Sequence, residues 1–167
     1  VGSEMCIRDR KKAAEKLKAA CAGQPATVQS MEKKQRTASP PKLYDLTSLQ
    51  RDGNRLFGYT AQQVLDYAQA LYEKKLLTYP RTDSNYLTED TAATVSELLE
   101  RSVSSLPFSV EIGQTDVSRV VDASKVSDHH ALLPTMQVKQ DALVALPAGE
   151  RNILTLVMVR LPVSYTH

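Results

Sequence analysis

Leu76-Leu77-Thr78-Tyr79-Pro80-Arg81-Thr82-Asp83-Ser84 is the stretch on which the reading of this chain turns. Proline has no amide hydrogen to donate and pushes the residue before it out of the α region. Pro80 therefore marks a place where a helix has already stopped, and it holds Tyr79 extended at the end of a short strand, Leu76-Leu77-Thr78. In extended backbone, residues i and i+2 point to one side, which brings the Arg81 guanidinium to the side of the Tyr79 phenol. A phenol titrates near pH ~10, so a tyrosine nucleophile needs positive charge beside it to favour the phenolate and to offset charge building on a phosphoryl group. The pair suits phosphate chemistry, although a tyrosine before a proline is in most proteins a half-buried strand end.

Upstream, Thr47-Ser48-Leu49-Gln50 is a capping-box pattern that predicts a helix running to about Phe57, with Gly58 beyond its end. Thr60-Ala61-Gln62-Gln63 repeats the signal for a helix over about Ala61–Lys75, with Val64, Leu65, Ala68, Leu71 and Tyr72 on one face and Gln62, Asp66, Gln69 and Glu73 on the other. Two capped helices joined by Gly58-Tyr59-Thr60 and followed by a strand have the outline of a helix-turn-helix, or winged-helix-like, module. That outline also occurs in proteins that touch no nucleic acid. Further upstream, Lys11–Ala22 reads as a charged helix closed by Gly23, and Ala26–Thr37 as an exposed, basic strand leading to Pro40-Pro41.

Downstream, Thr88 opens a third helix with Glu89 and Asp90 in its first turn and Ala92, Val95, Leu99, Val103 and Leu106 facing inward, ended by Pro107. Short strands are expected at Ser109–Ile112 and Arg119–Asp122. Ser127-Asp128-His129-His130-Ala131-Leu132-Leu133-Pro134-Thr135 is the second chemically dense stretch; adjacent histidines on extended chain project to different sides, so one of them faces any given site. They do not suit a metal ion, because no acidic or thiol cluster stands nearby. Glu150–Leu161 is apolar on most sides and predicts a buried helix whose partner surface lies in a larger body.

Composition sets broader bounds. The 167 residues carry 21 Lys and Arg against 19 Asp and Glu, a balance that says little about partners, since distribution matters more than the sum. Cys6 and Cys21 have neither metal-site spacing nor a disulfide pattern, which points to a reducing, cytoplasmic setting. No apolar run approaches the ~18 residues of a membrane span, so a soluble chain without membrane contact is expected. Val1–Arg10 and Val163–His167 continue no local pattern and resemble translated adaptor sequence at the edges of assembled environmental reads. They are expected to be non-native ends of an internal fragment.

Taken together, Leu43-Tyr44-Asp45-Leu46-Thr47-Ser48-Leu49-Gln50-Arg51-Asp52, Thr78-Tyr79-Pro80-Arg81-Thr82-Asp83-Ser84 and Asp128-His129-His130-Ala131-Leu132-Leu133-Pro134-Thr135 resemble the type IA DNA topoisomerases, most closely the bacterial topoisomerase III branch. The resemblance covers about Lys11 to Leu161. It implies that Tyr79 attacks a single-stranded DNA phosphodiester and becomes linked to the 5′ phosphate. After strand passage the 3′ hydroxyl would attack back without ATP. It implies catalytic roles for Tyr79, Arg81 and His129, and DNA contacts from Arg81, Thr82, Ser84, His129 and His130.

The same resemblance makes the fold mainly helical α+β. Residues 42–137 would form the tyrosine domain, interrupting an arch-forming, β-containing domain represented by 11–41 and 138–162. The family's magnesium-binding acidic cluster has no counterpart here, so Mg2+ would serve the full-length parent through ligands outside this chain, with no metal bound by the chain itself and no cleavage by it alone. The parent would act as a monomer. The rival from another class is a non-catalytic winged-helix DNA-binding module whose tyrosine stacks on a base.

Overall fold

The computed structural model describes residues 11–36, 39–110 and 116–165. The chain divides into two compact units, Val1–Thr37 and Ala38–His167. In the first, helix α1 (Lys11–Cys21) ends at Gly23, whose φ of 74° is the left-handed conformation expected of a cap. Every side chain described in this unit is exposed, Val28 and Met31 included. The strand expected over Ala26–Thr37 is not formed among its described residues, since a single extended segment with no neighbour has nothing to pair with.

The second unit holds α2 (Leu46–Phe57), α3 (Ala61–Glu73), α4 (Glu89–Ser105), α5 (Gln140–Ala145) and α6 (Ala148–Tyr165), with 3-10 turns at Val117–Arg119 and Ala123–Lys125. The fold is mainly helical. Among the described residues the β content is three isolated bridges: Tyr44–Leu132 and Leu77–Pro134, both antiparallel, and Leu87–Val121, parallel. Of the strand expected at Arg119–Asp122, Val121 alone pairs, because residues 117–119 coil into a 3-10 turn. Part of the strand expected at Ser109–Ile112 lies outside the described residues.

The cap of α2 is Asp45, not Thr47: its carboxylate accepts from Ser48 N at 2.6 Å, while Asp45 N donates to Ser48 Oγ at 3.1 Å. An aspartate two residues upstream satisfies the free amides better than the threonine, which becomes part of the first turn. The cap on α3 is the expected one, Thr60 with Gln63. Both α2 and α3 stop where their apolar stripes stop, α2 on Gly58 at a φ of 71°.

Two apolar clusters fill the unit. The first joins Leu49 of α2, Val64, Ala68 and Leu71 of α3, and Ile153, Leu154, Val157 and Met158 of α6; the second joins Val95, Leu98 and Leu99 of α4 with Leu161 and Tyr165 of α6. The extended segments 43–44 and 131–133 run between them, and the period-2 alternation of strand side chains shows directly. Tyr44 and Leu132 enter the first cluster, whereas Leu43, Ala131 and Leu133 enter the second. Burying each leucine contributes about 1.5–3 kcal/mol.

Because α6 faces both clusters it is apolar nearly all round, and its partners are α2, α3 and α4 of the same unit rather than a surface elsewhere. It also continues past the expected end at Leu161, through Pro162 to Tyr165, which is fully buried.

Candidate active site

Tyr79 is placed by the way α3 ends. Lys75 takes a left-handed turn at a φ of 59°, and Leu76 N reaches back to the Leu71 carbonyl at 2.9 Å. The chain then leaves the helix in extended form against residues 133–135. Thr135 N donates to Leu76 O at 3.1 Å, Thr78 N to Leu133 O at 3.0 Å, and Leu133 N to Thr78 Oγ1 at 3.0 Å. Beyond the tyrosine, Pro80 is buried and Leu46 N donates to Thr82 O at 3.1 Å. The short 79–81 segment is thus fastened on both sides.

The Tyr79 ring is half-buried, with its centroid 4.5 Å from that of His129 at an interplanar angle of 48°. Tyr72, from the last turn of α3, meets it edge-on at 5.4 Å and 78°. Sequence periodicity puts Tyr72 on the apolar face; in the structure it is 41% exposed, because the helix ends there and the tyrosine segment occupies the adjoining space. Arg81 is exposed and shares with His129 a cleft of about 350 Å3, lined also by Leu46, Thr47, Thr82, Asp83, Ser127 and Asp128. Across it Ser127 Oγ donates to Asp83 Oδ1 at 3.2 Å. A phenol against an imidazole, beside a cleft carrying a guanidinium and that same imidazole, can place a nucleophile and two nitrogen donors around one phosphate.

Thr82 and Ser84, which the resemblance puts at the DNA, turn inward. They are 5% and 4% exposed, and their hydroxyls are spent within the protein: Thr82 Oγ1 donates to His129 O at 2.9 Å, and Ser84 Oγ to Lys125 O at 2.9 Å. Thr82 nonetheless lines the cleft, whereas Ser84 does not. The two histidines part company, as extended backbone requires. His129 faces the cleft, whereas His130 lines a separate apolar pocket with Thr78, Thr91 and Met136, its Nδ1 2.7 Å from the Ala131 carbonyl. Sequence reasoning missed Tyr72, Ser127 and Asp128 as cleft or ring neighbours. For the last two the signal was present, since they sit in the same motif as His129.

Behind the cleft, a polar network ties α6 to α2. Tyr44 Oη donates to Asp52 Oδ2 at 2.7 Å, and Arg160 Nη2 reaches both Asp52 and, at 2.7 Å, Tyr44 Oη. Burial, reinforced by the hydrogen bond to Asp52, pushes the Tyr44 phenol up to about 12. The Asp52 carboxyl is held below its usual range, because hydrogen bonds from Tyr44 and Arg55 and the Arg160 charge outweigh its partial burial.

Among the described residues no group of three or more His, Cys, Asp or Glu could hold a metal ion, and Asp83 and Asp128 are the only carboxylates lining the cleft. These two side chains form no closed cage for magnesium, an ion usually held by one or two carboxylates together with waters and substrate phosphates. No helix among the described residues is long and apolar enough to cross a membrane.

Comparison with known proteins accords with these motifs. A family model described as DNA topoisomerase matches residues 4–166. The chain is 45% identical over 143 residues to the DNA topoisomerase 3 of Bacillus cereus, covering 82% of this chain and 19% of that protein. It is 38% identical over 151 residues to the DNA topoisomerase 3 of Bacillus licheniformis, covering 86% and 20%. With that of Shouchella clausii the identity is 45% over 118 residues, covering 66% and 16%. The chain therefore spans about a fifth or less of the length of these curated relatives. It belongs to the type IA DNA topoisomerase family, on the topoisomerase 3 side.

Proposed function

We propose that this chain is the tyrosine-bearing part of a type IA topoisomerase that cuts one strand of DNA, lets another strand pass and reseals the first. Tyr79 Oη attacks the phosphorus of a single-stranded DNA phosphodiester, forming a P–O bond to the tyrosine as the bond to the 3′ oxygen breaks. The phenolic proton is lost and the departing 3′ oxygen takes one up. The product is a 5′-phosphotyrosyl bond that keeps the energy of the broken ester, so the reverse attack by the 3′ hydroxyl needs no ATP. Arg81 contacts the scissile phosphate with a fork that suits two oxygens, and His129 donates to the same group. The observation that carries the reading is the tilted contact of the Tyr79 and His129 rings, centroids 4.5 Å apart, beside the cleft that His129 shares with Arg81.

The proton donor for the 3′ oxygen and the ligands for Mg2+ are assigned to parts of the protein outside this chain. Residues 42–137 are read as the winged-helix-like tyrosine domain, with 11–41 and 138–162 as parts of an arch domain, in a monomeric cytoplasmic enzyme.

The test is a covalent adduct. End-labelled single-stranded DNA incubated with the full-length protein and magnesium, then resolved under denaturing conditions, is expected to give labelled protein, and Tyr79→Phe to abolish it while leaving DNA binding intact. Retained cleavage in Tyr79→Phe would sink the assignment. Binding with no adduct in either protein would favour the non-catalytic DNA-binding module instead. The chain alone is expected to form no adduct.

A further inference from the structure

A second groove opens beside the cleft of Arg81 and His129. It has a volume of about 250 Å3, and its wall includes Lys42, Asp45, Thr47, Arg51 and Arg160. Thr47, in the first turn of α2, lines both grooves, so the two are neighbours across one residue.

Their charges differ in a way that separates two tasks. The cleft sets the one arginine, Arg81, against two carboxylates, Asp83 and Asp128, so its fixed charges do not favour a polyanion. In the second groove Asp45 is occupied as the cap of α2, and the Arg160 charge is met by Asp52. Lys42 and Arg51 remain. Both are exposed, and neither lies within ion-pair distance of a carboxylate among the described residues.

The position of Lys42 is fixed at both ends. Its carbonyl accepts from Arg160 Nη1 at 3.3 Å, and its ammonium stands 4.8 Å from the centroid of the Tyr86 ring. Lys125 stands 4.6 Å from the same centroid, with its own charge met by Asp122 at 2.6 Å. The Lys42 charge, which no carboxylate among the described residues meets, leaves a positive potential that a phosphate would relieve. The phenol answers to that field, since Lys42 beside its hydroxyl, with Lys125 adding to the effect, holds Tyr86 below the ordinary tyrosine value.

We infer that the groove of Lys42 and Arg51 is a phosphodiester-binding site, which takes the sugar–phosphate backbone of the same single strand that lies at Tyr79, at phosphates away from the one attacked. The inference rests on the proposed function for the identity of the strand. It assigns affinity to this groove and chemistry to the neighbouring cleft, in line with the general division between backbone contacts that position and contacts that act. Thr47 marks the point where the strand crosses from one to the other.

The test is the salt dependence of binding by the intact 167-residue chain, read by anisotropy of a short fluorescein-labelled oligothymidylate. Each phosphate neutralised on a single strand contributes about 0.7 to the slope of log affinity against log salt, so Lys42→Ala with Arg51→Ala is expected to lower that slope by about 1.4. Affinity at low salt should fall about tenfold. Lys42→Arg with Arg51→Lys should keep both near the original values. Lys139→Ala, on a different cleft lined by Glu97 and Glu100, should change neither. Both substituted positions are exposed and alanine suits the α2 helix, so an unchanged thermal melt is expected alongside.

A double variant with the original slope and affinity overturns the inference, as does an unsubstituted chain that shows no salt-dependent binding; neither bears on the adduct at Tyr79. Conversely, a slope that depends on Lys42 and Arg51 in a protein that forms no adduct would leave the groove standing and remove the proposed chemistry.

Discussion

The Thr82 hydroxyl donates to the His129 carbonyl at 2.9 Å, and the same oxygen accepts from Ser84 N at 3.1 Å. One buried side chain therefore ties the segment after Tyr79 to the segment that carries the histidine. Thr82→Val keeps the volume but leaves an amide and a carbonyl without their partner, which is expected to cost about 1–3 kcal/mol. Urea denaturation should show this loss for valine and a much smaller one for Thr82→Ser.

Tyr72 meets the Tyr79 ring edge-on, with centroids 5.4 Å apart. An edge-to-face pair contributes about 0.5–1.5 kcal/mol beyond the area it buries, so Tyr72→Ala in the full-length protein is expected to slow cleavage by roughly 2–12-fold. Tyr72→Phe, which keeps the ring, should leave the rate near its original value. Single-turnover cleavage of labelled DNA separates this from an effect on binding.

The network of Tyr44, Asp52 and Arg160 makes stability depend on pH at both ends. Asp52 has a lowered folded-state pKa, so its contribution is present above the ordinary carboxylate value near ~3.9 and is lost as pH falls through the lowered one. Tyr44 has a raised folded-state pKa, so its contribution is full below the ordinary value near ~10 and is lost as pH rises toward about 12. Thermal melts across pH are expected to lose part of the acid slope in Asp52→Asn and part of the alkaline slope in Tyr44→Phe. Some alkaline slope should remain, because burial also raises Tyr165, whose hydroxyl has no hydrogen-bond partner among the described residues.

Gly53 sits inside α2, where a glycine ordinarily weakens a helix, yet here it lets α2 and α3 approach. A methyl group at this position would lie 2.8 Å from Val64 Cγ2 and 3.4 Å from Ile153 Cδ1. Gly53→Ala is expected to destabilise by about 1–3 kcal/mol despite the gain in helix propensity. Adding Val64→Ala should recover part of that loss, so the two substitutions should not be additive in chemical denaturation.

The helices were legible because their signals are local. Thr60 with Gln63, the stop at Gly58, the acidic first turn at Glu89 and Asp90, and the stripe Val64–Ala68–Leu71 can all be read within one or two turns. Asp45 was overlooked as a cap because Thr47-Ser48-Leu49-Gln50 offered a second match to the same pattern. The strands were less legible because a bridge such as Leu77–Pro134 depends on a partner far along the chain. The residues proposed for the site could be picked out by motif. What the motif could not convey is which of its polar side chains turn inward. Thr82 and Ser84 look like ligand-facing residues in a list of letters, and only the placement of His129 and Lys125 behind them shows where their hydroxyls go.

The double fastening of the 79–81 segment has a mechanical consequence. A pull applied at the Tyr79 hydroxyl enters the backbone between two anchors, residues 77–78 on 133–134 on one side and Thr82 on Leu46 and His129 on the other. Bonds of an antiparallel pair lie across the strand, so tension along the strand loads them in shear, together, instead of peeling them one after another. Both anchors lead into segments held between the two apolar clusters that α6 joins. A pull on the tyrosine is thus passed through both anchors to the core of the 38–167 unit, instead of being taken up by a free loop.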